Sequence, residues 1–283
     1  MEEADDVSKD AKAFPGFDEA LVADLRASME AFVDRVVWSE GSDYRELLLA
    51  DYLLVNRRLA DFYGLKFEAT AGADPWVRVA CDPTERAGIF THPFLLSVLA
   101  YHRSTSPIHR GVFLTRNVLG RFLKPPPMAI VFMDDRFDPS LTMREKVTEL
   151  TKSDTCMGCH STINPLGFSL EHFDAVGRFR TEDNAKPVNA FADYTTVDGD
   201  VVPLRKVRDL AGHAAKSAEA RRGFVRQLFQ HAIKQTPAAY GADTLERLDA
   251  GFAEDGHHIR RLLVEMATVT AGQGFGTQLS STP

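Results

Sequence analysis

The chain has 283 residues, of which 44% are hydrophobic and 26% charged, with a formal net charge of −7. That composition suits a globular protein with room for two or three small units, and no apolar run reaches the length needed to span a bilayer, so no transmembrane segment is expected. The acidic balance argues against general nucleic-acid binding, which needs a basic face.

The N-terminal stretch Met1 to Asp10 is acidic and polar, with neither the positive region nor the apolar stretch of a secretion signal. From Asp18, a plausible N-cap, Leu21, Val22, Leu25, Met29, Phe32, Val33 and Val36 recur at three and four residues and predict an amphipathic helix. A second helical stretch is read from Ser42 to Gly64, and the mixed segment from Lys66 to Pro83 reads as a connecting loop. Apolar periodicity returns from Arg86 to Tyr101. Ser106-Pro107 then offers an N-cap with proline at the first helical position, opening a helix to about Phe122. Pro125-Pro126-Pro127 stops it and favours extended backbone. The basic residues Arg103, His109, Arg110, Arg116, Arg121 and Lys124 read as a solvated helix face.

Thr142-Met143-Arg144-Glu145 is a capping box, so a short helix should follow it. Ser153 or Asp154 should cap the turn after that. The one strong β signal is Asn189 to Thr196 and Val201 to Leu204 around an Asp198-Gly199 step, a short hairpin near 189–204. Helices are expected again over 206–215, 217–234, 243–254 and 258–270, before a Gly-, Ser- and Thr-rich tail. The fold class is mainly α, with helical modules read at 14–75, 85–182 and 200–273.

The most specific chemistry lies at Cys156-Met157-Gly158-Cys159-His160, a C-x-x-C-H. Two cysteines three apart on a helical turn can each form a thioether to one haem. The histidine directly after them can reach the iron, which makes this spacing the attachment signature of c-type haem. A zinc site would need a second C-x-x-C or a spaced histidine pair, and a thioredoxin-like dithiol would follow a strand. Neither context is present: Cys81 stands alone, His257 and His258 are adjacent, and the residues before Cys156 read as helical. One covalent haem c is therefore the expected cofactor, with Cys156 and Cys159 as thioether residues and His160 as proximal ligand.

Several stretches resemble the planctomycete-type cytochrome c-like family of large exported proteins, across three consecutive uncharacterised C-terminal domains. Ala50 to Asn56 and Phe62 to Leu65 resemble the first domain. Arg86 to Ile89, Ser106 to Gly111, the C-x-x-C-H with Asn164 to Phe168, Leu170 to Asp174 and Gly177 to Arg180 resemble the middle, haem-bearing one. Phe224 to Gln235 and Ile259 to Leu263 resemble the last. The resemblance implies an exported, periplasmic protein whose full-length members carry further N-terminal domains, so the chain reads as a fragment of such a protein.

Around the motif, Pro165 could present a carbonyl to the second imidazole nitrogen, or simply stop a helix. Met143 and His172 are candidate sixth iron ligands beside an open position, with Met128, Met133, His109, His213, His231 and Met266 elsewhere in the chain. Arg178 and Arg180 could pair with haem propionates or form ordinary ion pairs. Phe168, Phe173 and Phe179 could wall the porphyrin or fill the neighbouring core. The expected role is one-electron transfer within a larger exported protein, to a redox partner or a catalytic domain of the same chain. A haem enzyme activating peroxide or oxygen, and an interaction module whose motif binds zinc or is vestigial, are the alternatives. The segment 141–180 is expected to lean on the haem for its order.

Overall fold

The computed structural model describes residues 7–68, 75–125 and 132–274. Pro126, Pro127, Met128 and the tail from residue 275 lie outside the described residues. The fold is mainly helical, with small two-stranded antiparallel sheets.

Helix α1 (Glu19–Trp38) starts where the Asp18 carboxylate accepts the Leu21 N–H, and it buries Leu21, Leu25, Phe32 and Val36 along one stripe. The stretch read as a second helix divides into α2 (Tyr44–Leu49), β1 (Tyr52–Val55) and α3 (Arg57–Tyr63). The reason is burial on both sides. Tyr52-Leu53-Leu54-Val55 is a continuous apolar run, which periodicity cannot assign to helix or strand, and all four residues are buried. Its partner β2 (Val77–Ala80) lies inside the segment read as a loop, with Tyr52 opposite Ala80 and Val55 opposite Val77.

The next helical stretch is also interrupted. A 3₁₀ turn over Gly88–Thr91 leads into α4 (Pro93–Val98), because Pro93 can open a helix but cannot continue one. Helix α5 (Pro107–Phe113) begins with Ser106 accepting the His109 N–H, and a widened π turn over Leu114–Val118 continues it. The capping box at Thr142 and Glu145 opens α6 (Met143–Leu150), and Ser153 caps α7 (Asp154–Phe168). A two-residue pair, β3 (Glu182–Asp183) and β4 (Lys186–Pro187), precedes the expected hairpin of β5 (Ala192–Thr195) and β6 (Val201–Leu204). Four helices follow: α8 (Val207–Lys216), α9 (Ala218–Ile233), α10 (Thr244–Glu254) and α11 (Ile259–Gly274).

The main apolar core runs from Phe32 and Val36 through Phe90, Leu114, Leu166 and Phe173 to Tyr194, Phe229, Phe252 and Met266, while α3 and β2 pack in a second cluster and α6 in a third. The N-terminal half of the same α1 stripe packs Leu21 and Leu25 in the second cluster with Leu53, Val55, Leu59 and Val176. The basic residues after Arg103 do not form one solvated face. Arg110 is 0% exposed and donates to the carbonyls of Leu170, Phe173 and Asp174, while Arg121 pairs with Glu219. The two terminal guanidinium nitrogens of Arg110 thereby stitch the 170–174 loop to α5.

Candidate functional site

Helix α7 has two unlike halves. Its C-terminal half is driven into the protein, with Ile163, Asn164, Leu166, Gly167 and Phe168 buried. There it crosses α5 so closely that a Cβ on Gly111 would meet the Ile163 carbonyl oxygen at 2.1 Å, and one on Gly167 the Pro107 carbonyl oxygen at 2.0 Å. The N-terminal half carries the C-x-x-C-H. Residues 152–155, 157, 158 and 161 are exposed, and Cys156, Cys159 and His160 are half-buried. Nothing lies within 4 Å of a Cβ built on Gly158.

The spacing i, i+3, i+4 puts Cys156, Cys159 and His160 on one face of this helix. Both thiols are free. Among the described residues no three His, Cys, Asp or Glu side chains converge to chelate an ion. A half-buried face with two thiols and one imidazole, flanked by the exposed Met157, fits a flat apolar group attached from outside.

Behind the motif stands a buried polar chain. His160 Nδ1 lies 2.9 Å from Asn164 Oδ1, Asn164 Nδ2 donates to Thr151 Oγ1 at 2.8 Å, and the Thr151 hydroxyl donates to the Val147 carbonyl at 2.8 Å. The contact expected of Pro165 is thus made by its neighbour Asn164. Pro165 lies inside α7, and its carbonyl accepts the Ser169 N–H at 3.3 Å as the helix closes. Among the described residues no hydrogen bond engages His160 Nε2.

The other candidates are not gathered at the motif. Met143, at the start of α6, packs on Phe168, Val147 and Ile108. Phe168 is eight residues past His160, about 12 Å along the helix axis. His172 lies beyond the end of α7, its Nδ1 3.0 Å from the Arg180 carbonyl and its ring stacked on Phe179 at 5.4 Å. It borders a cavity of about 170 Å³ shared with Ser169, Lys206 and Val207. Arg180 is committed to Glu171 at 3.0 Å and Asp183 at 2.8 Å, and Arg178 lies over the Phe62 ring at 4.0 Å. Both guanidiniums are occupied by protein partners, as in ordinary ion pairs and cation–π contacts. Phe168 and Phe173 fill core, and Phe179 covers His172.

Glu171 links this region to Arg110. Its carboxylate is 3.4 Å from the Arg110 guanidinium and accepts the Thr105 hydroxyl at 2.9 Å. Burial pushes the Glu171 carboxyl up, and Arg110 and Arg180 oppose that shift. Burial likewise pushes Arg110 down to about 10, with Glu171 opposing.

Asn164 and Thr151 are the residues behind the motif that spacing alone missed. The available signal was an asparagine four residues after the histidine, one helical turn on, where its side chain can reach the imidazole.

Residues 86–183 match the family model PSCyt3, described as protein of unknown function (DUF1588), and residues 1–65 match PSD4, described as protein of unknown function (DUF1592). The chain is similar to both. These two families are found in planctomycete-type cytochrome c-like proteins, and the PSCyt3 range contains the C-x-x-C-H and every candidate residue around it. No curated protein and no solved structure matches the chain.

Proposed function

We propose that this chain is a c-type cytochrome module of an exported protein, binding one haem through Cys156 and Cys159 with His160 as the proximal ligand. When bound, the group supplies one-electron Fe(III)/Fe(II) chemistry, delivered to a redox partner or a catalytic domain of the same longer protein. The observation that carries this reading is the bare first half of α7. It presents both thiols and the imidazole on one face, while its second half is locked to α5. The likeness of residues 86–183 to PSCyt3 supports it. Thioether attachment takes place outside the bacterial cytoplasm, so the reading includes an exported location. Among the described residues no helix is long and apolar enough to cross a membrane.

Expression in an exported form, with haem-ligation machinery, should give a mass increase of one haem that survives denaturation. Replacing both Cys156 and Cys159 by Ala should abolish it, and an unmodified mass from competent cells sinks the proposal. A second reading, an open iron that binds small ligands, is favoured by the placement of Met143 and His172 away from the motif. Carbon monoxide binding to the reduced protein supports it; sharp low-spin bands unmoved by carbon monoxide count against it.

A further inference from the structure

We infer that Thr151 and Asn164 form a positioning relay that fixes His160 as its Nδ1–H tautomer and leaves the Nε2 lone pair for a metal. The inference deepens the haem reading and rests on it for the identity of that metal. This hydrogen-bond chain has a direction. It ends at the Val147 carbonyl, which can only accept, so the Thr151 hydroxyl 2.8 Å away must donate to it. The hydroxyl oxygen is then free to accept, and Asn164 Nδ2 donates into it at 2.8 Å. That sets the amide: Oδ1 faces His160, 2.9 Å from Nδ1. An amide oxygen can only accept, so Nδ1 carries the proton. A neutral imidazole has one N–H, and Nε2 is therefore the free donor atom.

The opposite tautomer would need the amide reversed. Its oxygen would then face the Thr151 hydroxyl, which would have to abandon Val147. Thr151 is 3% exposed and Asn164 7%, so water does not compete for these bonds. The relay also ties the ring to the last turn of α6, which fixes the imidazole relative to a second helix. Partners of this kind set the tautomer and orientation of a metal-binding histidine. Asn164 and Thr151 are positioning residues; neither touches the ligand.

The test has two readouts, both on the full chain. In haem-free protein, nitrogen NMR of labelled histidine should show neutral His160 as the Nδ1–H form in the parent and in Asn164→Asp, which keeps an acceptor. Asn164→Leu should show the mixture typical of free imidazole, and Thr151→Val an intermediate shift. In haem-loaded protein, Asn164→Leu should raise the midpoint potential, because a less basic ligand stabilises Fe(III) less. Asn164→Asp should lower it, because a carboxylate makes the imidazole more basic. A purely structural role would weaken both variants without moving the potential in opposite directions. A parent His160 in the Nε2–H form, or potentials equal across the variants, overturns the relay. Should Asn164→Leu fail to fold, Asn164→Asp and Thr151→Val carry the test. Absence of a thioether adduct in the parent overturns the haem reading instead, and leaves the tautomer result standing.

Discussion

His92, on the turn into α4, shows how burial writes a pH dependence into one residue. It is 1% exposed; Phe94 N–H donates to its Nδ1 at 3.3 Å, and Ser28 Oγ lies 3.3 Å from Nε2. Burial, with the Arg86 guanidinium second, pushes the imidazole from 6.5 down to about 3. The unfolded chain therefore takes up the proton first. His92 leaves stability untouched above the unfolded value and erodes it as pH falls towards the folded one, by about 1.4 kcal/mol per pH unit. Between pH 6.5 and 5 this amounts to about 2 kcal/mol. Urea titrations should show the parent losing more stability over that interval than His92→Asn, which keeps a capping acceptor but has no proton to gain. Equal losses in the two proteins would mean that His92 is protonated in the fold.

At the scale of elements, what decides the structure is how α5 and α7 touch. Gly111 and Gly167 let two backbones meet, and an added methyl at either would overlap a carbonyl of the other helix. Gly111→Ala or Gly167→Ala should cost at least about 2 kcal/mol in chemical denaturation, by overpacking. Gly158→Ala, inside the C-x-x-C, meets open space. It should be neutral or stabilising by up to about 1 kcal/mol. This contrast marks the limit of what the sequence discloses. Thr142, Ser153 and Ser106-Pro107 announced helix starts, because a cap is made within four residues. The hairpin turn at Asp198-Gly199 was equally local. β1 reads as helix from the sequence because its partner β2 begins 22 residues after β1 ends. The meeting of Gly111 with Ile163 spans a longer gap still, and nothing near either residue in the chain predicts it.

For the whole molecule, the decisive fact is that none of the apolar clusters of buried residues uses the first half of α7. The expectation that 141–180 leans on haem narrows accordingly. Ile163 to Val176 is held by Leu166, Phe173 and the Arg110–Glu171–Arg180 network. Amide exchange on haem-free protein should therefore show fast exchange over 154–162 and strong protection over 163–173. Loading with haem should slow the first range and leave the second unchanged; uniform protection of α7 without haem would contradict the division. The candidate site was legible to the same degree. That Cys156, Cys159 and His160 share one face is legible, because i, i+3, i+4 spacing on a helical turn is local. The placements of Met143, His172, Arg178 and Arg180 were not, because each is set by a partner brought in by folding: Phe168, Phe179, Phe62 and Glu171.

The two unlike halves of α7 also impose an order in time. A chain whose core closes without its motif need not wait for the cofactor, so attachment can be a late step on a folded surface. On the haem reading proposed above, the bare turns from Ser153 to Ser161 are where a maturation enzyme would act. Until that visit, the same turns display two free thiols side by side, and an oxidant arriving first would compete with haem for them.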